Sequence, residues 1–206
     1  MSDVWDLVHT ERAALIADLE LLTDEQWARP SLCSAWSVHD VAAHLVDNAM
    51  ATPFGVVRAM VRARFDFDRQ NEQGMRRQRG ATPRETLQRL RDVAARTSGP
   101  PAPVDSRLVE EVLHGEDIRR PLGLVRHYDP EAVGRALHYQ ARTSSALGGG
   151  RQLAEKAAWR ATDIDLSFGT GPEVAGPALS LLMVVSGRRV ALADLAGPGV
   201  PAVDLD

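Results

Sequence analysis

One cysteine, Cys33, and one lysine, Lys156, occur in 206 residues. A single thiol cannot form an intramolecular disulfide, so a reducing, cytoplasmic setting is expected. Positive charge is not in excess: 24 basic against 28 acidic residues give a net charge of -4, which excludes the strongly basic footprint of a nucleic-acid binder. Long apolar runs are missing too. The longest, Ala178 to Val185, is interrupted by Ser180 and is far shorter than the roughly 18 residues a membrane span requires. Met1 to Asp6 has no basic stretch leading into an apolar one, so no signal peptide is expected. Neither nucleic acid nor membrane is therefore an expected partner.

Apolar residues make up 44% of the chain, enough for a core of one moderate domain with a small appendage. Helical periodicity dominates the first three quarters. Val4, Leu7, Val8, Leu15 and Leu19 recur on one helical face. Ser37 with Asp40 three residues on predicts a capped helix carrying Val38, Val41, Leu45 and Val46. One helix is predicted over 52–70, then a polar, arginine-rich loop or frayed helix over 70–80. Thr82-Pro83-Arg84-Glu85 starts the next helix, Asp105 or Ser106 the one after it, and Asp129-Pro130 another that ends near Gly148. After Gly150 the pattern changes: strands are predicted over 159–162, 164–168 and 190–193, with an apolar helix over 177–185. The fold expected is mainly α, a helical bundle over 1–150 followed by a small α/β module over 151–206.

Glu110 and His114 are four residues apart on a predicted helix and project from one face. His44 lies on another helix, near its apolar stripe. If the two helices pack together, two imidazoles and a carboxylate converge, a common open site for a divalent ion. Spacing alone favours a solvated Glu110 and two packed histidines. Asp117, three residues after His114, could support it, while Asp40 suits a cap better. His39 lies about 140° around the helix from His44 and should not share its face. His9, His127 and His138 are expected in surface or packing roles, Cys33 as a small packed residue, and Trp36 in the core. Arginines 58, 62, 64, 69, 76, 77 and 79 form either a solvated face or an anion-binding rim. Gly169-Thr170-Gly171 reads as a turn, since the rest of a dinucleotide fingerprint is absent.

Three segments carry a resemblance. Trp36-Ser37-Val38-His39-Asp40-Val41-Ala42-Ala43-His44-Leu45, Glu110-Glu111-Val112-Leu113-His114-Gly115-Glu116-Asp117, and Asp165 through Arg188 resemble, in order, segments of the mycothiol-dependent maleylpyruvate isomerase family in the DinB-like superfamily. The resemblance implies a DinB-like four-helix bundle with a divalent metal, usually zinc, held by His44, Glu110 and His114. It implies mycothiol as cosubstrate and a catalytic arginine in the C-terminal module, for which Arg188, beside Arg189, stands. A metal-bound thiolate would then attack a small electrophilic organic substrate. The C-terminal module is short for the sterol-carrier-like domain of the isomerase, so thiol S-transfer stands beside isomerisation. The alternatives are a non-catalytic bundle that binds a ligand or partner, and a metal-dependent hydrolase. A homodimer is compatible with such bundles, although no distinct seam shows.

Overall fold

The computed structural model describes residues 3–33 and 35–204. By compactness the chain divides into Met1–His127 and Tyr128–Asp206. The fold is mainly helical, a four-helix bundle followed in the chain by a small α/β module.

The first unit contains α1 (Val4–Glu20), α2 (Asp24–Trp27), α3 (Val38–Met50), α4 (Pro53–Arg62), α5 (Phe67–Gln78), α6 (Pro83–Val93) and α7 (Ser106–Leu122). The caps predicted at Ser37, Thr82 and Asp129 are in place, whereas Asp105 precedes α7 without a side-chain cap hydrogen bond. Ser37 accepts from the Asp40 backbone amide while the Asp40 carboxylate accepts from the Ser37 amide, which satisfies two donors that would otherwise be orphaned. Thr82 caps α6 with Pro83 in its first turn. Gly123, at φ 69°, ends α7 in the left-handed conformation.

Four helices, α1, α3, α6 and α7, form the bundle, and their charge and hydrogen-bond pairs give its direction. Arg12 meets Glu111 and Asp18 meets Arg119, so α1 and α7 run parallel. Glu20 meets Arg91 while Arg12 reaches the carbonyl of Arg96, so α1 and α6 are antiparallel. His39 meets Thr86 and Ser98 reaches the carbonyl of Ala49, so α3 and α6 are parallel. Between them Leu15, Leu19, Val41, Leu45, Leu90 and Ile118 are buried in one cluster. Trp27 is buried with them, edge-on to His39.

The helix expected over 52–70 is two helices. Arg64 and Phe65 both take the left-handed conformation, at φ 59° and 61°, and turn the chain between α4 and α5. No glycine or proline marks the break. Residues 70–80, expected as a loop or frayed helix, lie largely in α5. It buries only Gly74 and Met75, too few for an apolar period. It is held instead by the Asp66 cap and by packing on α3, where a side chain at Gly74 would collide with Asp47.

The second unit contains α8 (Pro130–Arg142), α9 (Arg151–Ala154), α10 (Ala178–Val185), α11 (Val200–Val203) and a sheet of β1 (Ala158–Ala161), β2 (Ser167–Gly169) and β3 (Glu173–Gly176). The helix before residue 150 belongs here by contact: Ala132, Val133, Ala136 and Leu137 of α8 are buried, and α8 packs against α10. β1 is central, antiparallel to β2 and parallel to β3, with Trp159 opposite both Phe168 and Val174. The strand expected over 164–168 is shorter because Ile164 and Leu166 form a turn and Asp163 caps α10 through the Ala178 amide. Residues 190–193, expected as a strand, lie in a 3-10 helix (Arg189–Asp194) that buries only Ala191. β3 was not predicted at all.

Gly169 closes β2 at φ 78°, where a Cβ would run into the carbonyl of Ala157. Gly169→Ala is expected to destabilise the chain by about 1–3 kcal/mol, read as a lowered denaturant midpoint.

Candidate metal centre

His44 is buried in the middle of α3, and Glu110 and His114 stand one turn apart on α7. Ser37 fixes the start of α3, and so the phase that points His44 inward. On α7, Glu110 and Glu111 are neighbours facing different ways. The Glu111 carboxylate takes the buried Arg12 of α1, which leaves Glu110 facing α3.

The three groups converge. Glu110 Oε2 lies 3.5 Å from His44 Nε2 and 3.2 Å from His114 Nε2. The imidazole rings stand nearly perpendicular, with centroids 4.8 Å apart. Tetrahedral zinc with bonds of about 2.0–2.1 Å sets ligand atoms roughly 3.3 Å apart. The donors fit such an ion. The donor types fit as well, since two imidazoles and a carboxylate suit zinc and several other divalent metals.

The surroundings orient the donors. Asp117, fully buried, sits 2.8 Å from His114 Nδ1 and accepts its proton in a hydrogen bond, so that Nε2 is the nitrogen that would serve as the ligand to an ion at the centre. Arg107 donates to Asn48 Oδ1 at 2.7 Å, which fixes the amide so that Asn48 Nδ2 donates to Glu110 Oε2. Trp36 lies against His44, ring centroids 5.1 Å apart. Cys33 donates its thiol to Asp117 at 3.0 Å, with Sγ 3.6 Å from His114 Nδ1.

The electrostatics are uneven. Burial pushes the His44 imidazole below its ordinary value, more strongly than Glu110 pulls it up. Burial would also lower His114, but hydrogen bonds to Asp117, Cys33 and Glu110 hold it well above. For Glu110, burial opposes ionisation and is outweighed by the hydrogen bonds from His114 and His44, so its carboxyl lies well below the usual range. The Glu110 side chain is 26% exposed, which opens the centre on one side.

The other predicted residues are distributed as follows. Asp117 supports His114. Asp40 caps α3 and also takes Arg79. His39 faces Thr86, away from His44. Arg188, in the second unit, precedes the 3-10 helix and donates to the carbonyl of Ser186 at 2.7 Å. Cys33 and Trp36 pack against the apolar cluster as expected, and both also border the centre. Asn48 and Arg107 were not singled out. The signal was present, for Asn48 is four residues after His44 and Arg107 three before Glu110, each on its neighbour's face. Asn48→Ala is expected to weaken zinc binding about tenfold, measured by competition with a chromophoric chelator.

Residues 8–109 match the family model described as the mycothiol maleylpyruvate isomerase N-terminal domain. The match includes His44 and ends one residue before Glu110. Two solved structures are similar over most of the chain. One is a mycothiol-dependent maleylpyruvate isomerase, with TM-score 0.66, 16% identity, and coverage of 95% of this chain and 91% of that one. The other is a histidine-to-alanine mutant of a mycothiol-dependent maleylpyruvate isomerase, with TM-score 0.65, 15% identity and the same coverage. At such identity the likeness is one of fold. No curated protein matches the chain. Through residues 8–109 the chain belongs to the mycothiol maleylpyruvate isomerase N-terminal domain family.

Proposed function

We propose that this chain is a divalent-metal-dependent enzyme that uses mycothiol as cosubstrate to isomerise a small electrophilic organic molecule or to transfer the thiol to it. The observation that carries this reading is the meeting of His44 Nε2, Glu110 Oε2 and His114 Nε2 at separations suited to one ion. Three protein ligands leave a coordination position open, as catalytic sites do and closed structural sites do not.

A divalent ion held by these residues supplies one thing, a lowered pKa for a thiol brought to it, so that the sulfur is nucleophilic at neutral pH. The protein's own groups do the rest. Asp117 keeps the proton on His114 Nδ1. Asn48, clamped by Arg107, turns Glu110 Oε2 toward the histidines. Trp36 shields His44 from water on one side. Arg188 is proposed as the cation that stabilises negative charge developing on the substrate. Zinc is the proposed ion, and a reducing, cytoplasmic setting goes with a thiol cosubstrate.

The test is turnover by zinc-loaded protein, with and without mycothiol, on maleylpyruvate and on a chromogenic electrophile. Turnover that needs both metal and thiol supports the proposal, and the substrate that reacts separates isomerisation from S-transfer. Turnover with metal alone would make the protein a hydrolase. Failure to bind mycothiol in a calorimetric titration would leave a binding bundle.

A further inference from the structure

The arginine-rich stretch divides in two. Arg76, Arg77 and Arg79 pair with Glu72, Asp47 and Asp40 within the first unit. Arg58, Arg62, Arg64 and Arg69 have no side-chain ion pair among the described residues. From Ala51 to Phe65 there is no acidic residue.

Arg69 lies in α5; the other three, Arg58, Arg62 and Arg64, stand on and just after α4, which buries none of its residues. Val56, Ala59 and Met60 form its half-buried inner side. Its outer side is also apolar: Phe54 is 79% exposed, Val57 54% and Val61 57%, with Phe65 at 74% just beyond the helix end. At 100° per residue Phe54, Val57 and Val61 fall within about 60° of arc, and Arg58 and Arg62 flank them on one side. An outward apolar ridge with a basic flank is unusual on a water-facing helix and marks a contact surface.

Charge decides what covers it. A second copy of the chain would bring three unpaired arginines against three, with no carboxylate in the segment to offset them. An anionic partner does offset them. A ridge of separate side chains on a helix without buried residues suits a soft apolar layer into which each can sink. Basic residues beside Phe and aliphatic side chains are the pattern of helices that lie in the plane of a bilayer surface.

We infer that α4 docks the protein on anionic phospholipid. Phe54, Val57, Val61 and Phe65 enter the boundary between headgroups and acyl chains, and Arg58, Arg62 and Arg64 meet the phosphates. The expectation of no membrane partner rests on the lack of a spanning segment and of a signal peptide, and no helix among the described residues is long and apolar enough to cross a membrane. Surface docking needs neither.

The experiment is co-sedimentation of the full chain with vesicles of phosphatidylcholine alone and of phosphatidylcholine with phosphatidylglycerol, at low and high salt. Binding is expected on the phosphatidylglycerol vesicles and should weaken with salt. Arg58→Ala/Arg62→Ala should lower partitioning roughly thirtyfold. Phe54→Ser/Val61→Ser should lower it while leaving the salt dependence. All four positions are exposed, and unchanged melting temperatures confirm that the variants fold. The two pairs alter charge and apolar area separately, so a defect in one leaves the other to decide. Three results would overturn the inference: equal indifference to both vesicle types, a concentration-dependent dimer lost in Phe54→Ser/Val61→Ser, or capture by polyglutamate without binding to vesicles.

Discussion

His114→Ala is expected to lose bound zinc while keeping its helical content. Of the residues at the centre, His114 alone is engaged on both sides of its ring, Nε2 toward Glu110 and Nδ1 toward Asp117. Structural zinc sites with four ligands bind with about 10–16 kcal/mol, so one ligand accounts for roughly 3 kcal/mol, or about a hundredfold in affinity. The loss should exceed that of Asn48→Ala, which disturbs a ligand without removing it. Elemental analysis of protein purified without added metal, followed by chelator competition, reads both. The circular dichroism spectrum should hardly change, because the side chain is 13% exposed and lies outside the buried apolar cluster. Wild-type stoichiometry in the variant, or no zinc in the wild type even when zinc is offered, would remove the metal centre and the enzyme reading with it.

Arg12→Ala is expected to be the most damaging substitution for stability outside the apolar core. Arg12 is 1% exposed and Glu111 3%, and they meet at 2.7 Å. Arg12 also donates to the carbonyls of Ala94 and Arg96, where the chain leaves α6. Removing the guanidinium strands a buried carboxylate and two carbonyls, at a cost of about 3–5 kcal/mol. Much of that cost is the uncompensated charge rather than the worth of the pair, whose Arg12 Nη2 is itself buried without a partner. Arg12→Met/Glu111→Leu should therefore recover most of the loss. Urea midpoints of the single and double variants check this. A double variant as unstable as the single one would show that the pair contributes directly and not only by mutual neutralisation.

The sequence made the parts of the centre legible where they share a helix. Glu110 and His114 are one turn apart, and Ser37 with Asp40 fixes where the helix of His44 begins. What it hid is long range. Arg107 fixes Asn48, which fixes Glu110, but the Asn48–Glu110 contact joins residues 62 apart in the chain, beyond any periodicity. Cys33 packs as expected, but nothing local shows that Asp117 also faces it. The break between α4 and α5 was invisible because Arg64 and Phe65 take a conformation usually left to glycine. The edge strand Glu173–Gly176 is too short to show an alternation. In the C-terminal unit, Val190 to Leu192 have strand composition, but only Ala191 has a buried surface to face, and the segment coils into a 3-10 helix.

The parallel arrangement of α1 and α7 has a consequence for the order in which the molecule is made. The two are first and last in the bundle, and the buried pair that joins them links residues 99 apart. During synthesis α1, α3 and α6 leave the ribosome with their apolar faces uncovered and His44 without Glu110 or His114. Only when α7 emerges are the core and the donor set completed, in one event. An ion can therefore be held by the full set only once α7 has emerged. Chains arrested before residue 106 should be held by chaperones, or aggregate, whatever the zinc supply.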